Sequence, residues 1–202
     1  MYPIAMEFFR RADGVPASLG VFPGTFNPIT IAHLALAEAA GRLVDEVVFV
    51  LPRTLPHKEY SGASLEQRAG LLLEALAAQD RVSIASTAGG LFVEIADECR
   101  ERYGARVKLS FVCGADAAER IAGWDYGDPG AFARMREQFD LLVAERGGRF
   151  GLPHRPLDIP DACSEVSATE VRARIARGDA WDHLVPAPVR VSVRRLYGRT
   201  TG

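Results

Sequence analysis

Short runs that are apolar almost throughout are separated along the chain by longer stretches in which apolar residues recur at helical spacing. The runs are 19–22, 45–51 (DEVVFVL), 81–86 (RVSIAS), 107–113 (VKLSFVC) and 140–145. Helices are predicted between them over 30–43, from Ser64 with Leu65, Leu72, Leu73 and Leu76 on its apolar face, over 90–103, and over about 129–139. Strands without polar alternation are the kind buried on both faces of a parallel sheet. Regular strand-helix alternation then predicts an α/β fold with a doubly wound parallel sheet of about five strands, helices on both faces and a small helical part at the C-terminal end.

Punctuation along the chain agrees. Ser64 with Gln67, and Ser167 with Glu170, have capping-box spacing. Gly178 marks the stop of a helix over 167–177, and Pro186 and Pro188 lead into a last helix over about 189–197. The segment 147–159 reads as a surface loop. Residues 1–17 are expected to be an N-terminal extension with a short helix over 5–11, and 18–202 a single domain.

Composition narrows the function classes. No apolar run approaches the roughly 20 residues of a membrane span. The start, MYPIAMEFFRRADG, lacks a charged-then-apolar secretory order, so a cytoplasmic protein without membrane partners is expected. A net charge of −2 gives no electrostatic reason to expect nucleic acid as a partner. Cys99, Cys113 and Cys163 lack metal-ligand spacing and read as reduced thiols, and no side-chain set reads as a metal site. Only two lysines, Lys58 and Lys108, stand among 22 arginines. A homo-oligomer is left open.

Chemistry concentrates in Gly20 to Leu36, GVFPGTFNPITIAHLAL. A strand ends in Pro23-Gly24, the chain turns through Thr25, Phe26, Asn27 and Pro28, and a helix begins at Thr30. Gly24 lets backbone approach a phosphate, and the helix start directs unpaired N–H groups and a positive dipole end to the same place. Thr30 and His33, three apart, share one face there, where hydroxyl and imidazole can both serve one phosphoryl group.

GTFNPITIAH resembles the GxFxPxHxGH signature of the nucleotidylyltransferase superfamily, whose members transfer a nucleoside monophosphate from ATP or CTP to an acceptor phosphate and release pyrophosphate. Gly24, Phe26, Pro28, His33 and the following Leu34 match. Thr30 stands in place of the first His, as in the phosphopantetheine adenylyltransferase branch; Asn27 stands where many members have Asp, and Ala32 where they have Gly. SATEVR resembles the second signature, SSTxIR, through Ser167, Thr169 and Arg172. PHK at 56–58 with Arg68, CGADAAERIAGW with Gly114, Asp116 and Trp124, and the closing LVPAPVRVSVRRLYG are similar to segments of the nicotinate and nicotinamide mononucleotide adenylyltransferase branch. STAGGLFVEI replaces that branch's tyrosine-bearing SYTxxTL stretch, leaving Thr87, Gly89 and Phe92 in the region.

The resemblance implies a Rossmann-like sheet and adenylyl transfer from ATP to a mononucleotide phosphate, forming NAD or its deamido form and pyrophosphate without a covalent intermediate. It implies that His33 and Thr30 are catalytic. Gly24, Thr25, Phe26, His33, Gly114, Asp116, Ser167, Thr169 and Arg172 would hold ATP, and His57, Lys58, Trp124 and Thr87 the acceptor. Mg²⁺ would travel with the nucleotide. The alternatives are an adenylyl- or cytidylyltransferase for another phosphorylated acceptor such as phosphopantetheine, and a catalytically idle nucleotide sensor. A class I aminoacyl-tRNA synthetase fragment shares a related helix-start motif but would need a KMSKS-like loop that the chain lacks.

Overall fold

The computed structural model describes residues 6–55, 60, 62–124, 130–144 and 151–198. Seven strands form one sheet: β1 (Glu7–Arg10), β2 (Ser18–Pro23), β3 (Glu46–Pro52), β4 (Val82–Thr87), β5 (Lys108–Gly114), β6 (Asp140–Ala144) and β7 (Arg155–Pro156). Their order across the sheet is β1-β4-β3-β2-β5-β6-β7, and every pair is parallel except β1 with β4. The five strands expected from the apolar runs are the central five. Each is buried along nearly its whole length, as strands covered on both faces must be.

The count of about five is corrected by the two edges. Residues 7–10 form an edge strand rather than part of a short helix. Phe8 sets its ring edge-on to Tyr103, 5.7 Å between centroids, and the Arg10 guanidinium donates to the carbonyls of Leu76 (2.8 Å) and Val82 (3.0 Å). These tertiary contacts decide a four-residue segment too short to hold a helix by itself. Residues 155–156 extend the opposite edge by a short pairing with Leu142 and Val143.

Helices α1 (Ile31–Gly41) and α2 (Leu65–Ala75) cover one face, joined by α7 (Ala168–Arg177) and α8 (Arg190–Tyr197). Across the sheet lie α3 (Phe92–Tyr103), α4 (Ala115–Ala122) and α5 (Ala131–Arg136). A short helix α6 (Asp161–Ser164) packs near α1. Ala37 and Ala40 of α1 let backbone approach the sheet closely, and Leu36, Leu72 and Leu76 fill that core. On the other face Phe92 stacks on Phe111 at 4.1 Å, beside Ile95 and Cys99.

The sheet order fixes where ligands can lie. From β2 the chain steps outward through β3 and β4, then returns to place β5 on the other side of β2. The crevice beyond the carboxyl ends of β2 and β5 is therefore the topological switch point, the usual ligand position in such sheets.

Candidate active site

β2 delivers the first motif to that crevice. The Gly24 N–H donates to Val50 O at 3.0 Å, extending the parallel ladder by one rung. Phe26 follows with a left-handed backbone, φ +45°, and a side chain 1% exposed. Left-handed backbone costs about 1–3 kcal/mol for a side chain of this kind, so surrounding packing must hold it. The ring lies edge-on to Phe22 (5.3 Å) and to the His33 imidazole (5.1 Å), with Phe49 also at 5.2 Å. A Cβ at position 24 would stand 2.8 Å from Phe26 Cζ. Glycine is required there to seat the ring, and the loop then passes through a cis Asn27–Pro28 peptide into Thr30.

Thr30 caps α1. Its Oγ1 accepts from the His33 N–H at 3.4 Å, and its own N–H donates to His33 Nδ1 at 3.0 Å. Because Nδ1 accepts from a backbone N–H, the imidazole proton resides on Nε2, which makes Nε2–H the donor of a neutral His33. Thr30 Oγ1 lies 3.0 Å from the same Nδ1, and the residue is fully buried. The first turn of α1 carries no acidic residue, so its positive end is not offset by the chain itself.

His33 faces a cavity of about 220 Å³ between Pro23, the start of α1 and the turn from β5 into α4. Gly114, Asp116 and Arg120 line its far side. A Cβ on Gly114 would meet no atom within 4 Å, so the turn borders open space, and Asp116 stands in the first turn of α4.

The second motif braces the first. Ser167 caps α7, its Oγ accepting from the Glu170 N–H at 3.1 Å, and neighbouring Val166 lines the His33 cavity. Arg172 donates to Asn27 O at 2.5 Å and to Thr169 Oγ1 at 3.3 Å, while the Tyr197 hydroxyl donates to Asn27 Oδ1 at 2.5 Å. Buried Arg68 donates to Thr25 O at 2.9 Å. Three side chains from α2, α7 and α8 thus grip the loop of the first motif. Asn27, where many superfamily members carry Asp, is the residue that receives two of them.

A second cavity of about 150 Å³ adjoins the first, sharing Pro23, Cys113, Ala117 and Arg120 with it. Leu55 and Phe92 make it largely apolar. Burial pushes the Cys113 thiol up to about 12, which leaves it un-ionised and a poor nucleophile. A larger hollow of about 680 Å³ opens between the far ends of α1 and α2 and contains none of the residues assigned to ATP or the acceptor. Chemistry, not size, picks out the pair at the switch point.

Of the residues singled out from sequence, His33, Gly114 and Asp116 line the first cavity, Gly24 and Thr25 the second. Thr30, Phe26 and Arg172 hold these in place. Thr87 is fully buried, donates to Gly89 O at 2.9 Å and is on the wall of neither cavity. Trp124 is 36% exposed just after α4 and is on the wall of neither cavity. His57 and Lys58 lie outside the described residues.

Arg120 is the residue that motif reading missed. It follows Asp116 by four positions on α4, so i,i+4 spacing places both on one helix face, the one signal that sequence offered. Tyr197, Glu94 and Glu98 were also missed, because each acts through a partner distant in sequence or through a loop backbone.

A model of the family described as "Cytidylyltransferase-like" matches residues 21–174, three quarters of the chain, from the end of β2 through most of α7. The chain belongs to this family. Among curated relatives, a protein of Treponema pallidum named probable nicotinate-nucleotide adenylyltransferase is 33% identical over 205 residues, covering 89% of this chain and 98% of that one. A protein of Rubrobacter xylanophilus with the same name is 34% identical, covering 89% and 91%. The solved Plasmodium falciparum nicotinic acid mononucleotide adenylyltransferase, complexed with NaAD, has a TM-score of 0.67 at 16% identity and covers 89% of this chain and 95% of that one, a likeness of fold. The family is one of nucleotidyltransferases, and the chain is an enzyme of that class.

Proposed function

We propose that the protein transfers the adenylyl group of ATP to the phosphate of nicotinate or nicotinamide mononucleotide, forming the dinucleotide and releasing pyrophosphate. The observation that carries this reading is the orientation of His33: a neutral imidazole with its proton on Nε2, locked by Thr30 at a helix start free of acidic residues, beside a cavity at the switch point. The curated relatives carry the name of that activity.

An oxygen of the acceptor phosphate attacks the α-phosphorus of ATP in line, the bond to the bridging oxygen breaks, and pyrophosphate leaves. No bond to the protein forms, in keeping with the un-ionised Cys113. The protein has to hold two anions together and stabilise charge developing on the phosphoryl oxygens. His33 Nε2–H donates to one of those oxygens, aided by the α1 dipole. Thr30 acts by orienting His33. Backbone around Gly24, Thr25 and Phe26, with the Ser167 and Thr169 end of α7, carries the triphosphate, and Arg172 keeps that end against the loop. Asp116 accepts from a ribose hydroxyl above Gly114.

Among the described residues no three His, Cys, Asp or Glu side chains come together as a metal cage. Asp116 is the carboxylate on the cavity wall, which fits Mg²⁺ carried in by the triphosphate oxygens and withdrawing charge from them. The resemblance to the mononucleotide adenylyltransferase branch assigns Lys58 and His57, outside the described residues, and Trp124 to the acceptor.

The test is pyrophosphate release from ATP and Mg²⁺ with nicotinate mononucleotide, nicotinamide mononucleotide and phosphopantetheine offered separately. Release with a mononucleotide, with dinucleotide recovered, is expected. Release with phosphopantetheine alone, or ATP binding without turnover on any of the three, would overturn the assignment.

A further inference from the structure

The smaller cavity, about 150 Å³, has room for one ring and carries, among the described residues of its lining, a single charged side chain. Its floor is Phe92, held against Phe111, and its walls are Pro23, Leu55 and Ile121. Among the described residues on its lining, the one ionisable group with a full charge is Arg120, which also borders the His33 cavity. Arg120 is exposed and has no hydrogen-bond or ion-pair partner among the described residues, whereas Arg68 and Arg172, which brace the loop of the first motif, are both engaged. A guanidinium presents a planar fork suited to a carboxylate or a phosphate.

The turn that brings Gly90 to the lining has its backbone donors occupied. In the turn from β4 to α3, the N–H groups of Gly90 and Leu91 both donate to Glu94 Oε2 at 2.9 Å. Those of Ala88 and Gly89 donate to Glu98 at 3.2 and 2.9 Å. Gly89 is required for this closure, since a Cβ there would stand 2.5 Å from Glu94 Cβ. Four consecutive backbone donors of this turn, of which Gly90 reaches the cavity lining, are therefore occupied by the chain's own carboxylates and are not offered to an anionic substituent on a ring in this cavity. Among the described residues that line the cavity, Arg120 is the one positive group that can meet such a substituent.

We propose that Arg120 is the residue that admits an acceptor whose ring carries a carboxylate, pairing with that carboxylate rather than with the phosphate common to all acceptors. This rests on the adenylyl-transfer reading above and deepens it by assigning the base preference. Arg120 is a specificity-determining residue, and nicotinate mononucleotide is the acceptor it favours over nicotinamide mononucleotide. The wild-type enzyme accordingly prefers the acid to the amide although no tyrosine stands in the β4 to α3 segment.

The experiment compares wild type, Arg120→Gln and Arg120→Lys, measuring turnover with each mononucleotide and binding of each by titration calorimetry. Loss of a charge-assisted pair of this type corresponds to about 10- to 100-fold in affinity. Arg120→Gln is expected to raise KM and Kd for the nicotinate substrate by that factor, to leave those for the nicotinamide substrate within about threefold, and Arg120→Lys to recover part of the difference. Equal losses on both substrates would assign Arg120 to the shared phosphate and overturn the proposal, as would no change on either. Wild type that neither binds nor turns over a mononucleotide would overturn the adenylyl-transfer reading itself, and this assignment with it.

Discussion

His33 owes its chemistry to Thr30. The hydroxyl of that one residue caps the helix by accepting from the His33 amide, and its N–H donates to Nδ1 and fixes the imidazole tautomer. Thr30→Val keeps the shape and deletes the hydroxyl, so it should lower stability by about 1 kcal/mol, the ordinary worth of an N-cap. Turnover should also fall, with ATP affinity nearly kept, because the imidazole is left with one tether; thermal melts and steady-state kinetics check both. Gly24→Ala forces a methyl into the Phe26 ring and should cost about 1–3 kcal/mol, read as a lowered melting temperature. The positions of these residues were legible in the sequence, since a glycine before a turn and a Thr three before a His have few other uses. Their division of labour was not. Whether Gly24 N–H faces a phosphate or pairs with Val50 O, and whether Thr30 reaches a ligand or the imidazole, depends on which partner lies opposite in space.

Elements distant in sequence converge on Asn27: α7 through Arg172 at its peptide oxygen and α8 through Tyr197 at its side-chain oxygen. Tyr197→Phe removes one hydrogen bond to a buried side chain, and about 0.5–1.5 kcal/mol of stability should go with it. If the bond positions the loop, KM for ATP rises as well, whereas an unaltered KM would make Tyr197 a stability residue only. The central strands and helices α1, α2, α3, α7 and α8 could be placed from sequence to within about two residues because their apolar periodicity spans whole elements, whereas α4 and α6 were not foreseen and α5 ends three residues before the expected 139. The edges could not. EFFR at 7–10 is too short for periodicity to decide, and its strand conformation comes from Phe8 on Tyr103 and Arg10 on carbonyls far along the chain. Arg120 stayed hidden for a related reason, as a charged residue on a helix becomes functional only when two cavities open beside it.

Across the whole molecule, the order of strands brings the ends of β2 and β5 together, and with them residues separated by most of the family-matched region. The β4 to α3 turn closes one side through Glu98, which is buried and bonded to two backbone N–H groups. Burial pushes its carboxyl above the ordinary 4.5, against the opposing pull of the Gly89 and Ala88 N–H groups and Arg53. A carboxyl raised in the folded state contributes stability that is present in full below the ordinary value and is lost as pH rises through the folded one. Wild type should therefore lose melting temperature relative to Glu98→Gln as pH rises from below 4.5 through that range, and a constant gap would show that Glu98 is not coupled to folding in this way.

The account as a whole depends on His33 as the donor to the phosphoryl group, so the most direct measurement is the turnover of His33→Ala with ATP, Mg²⁺ and a mononucleotide, alongside its affinity for ATP. Removing one such donor is expected to lower turnover by about 10²- to 10³-fold while ATP binding changes far less. A variant that turns over at the wild-type rate would contradict the account.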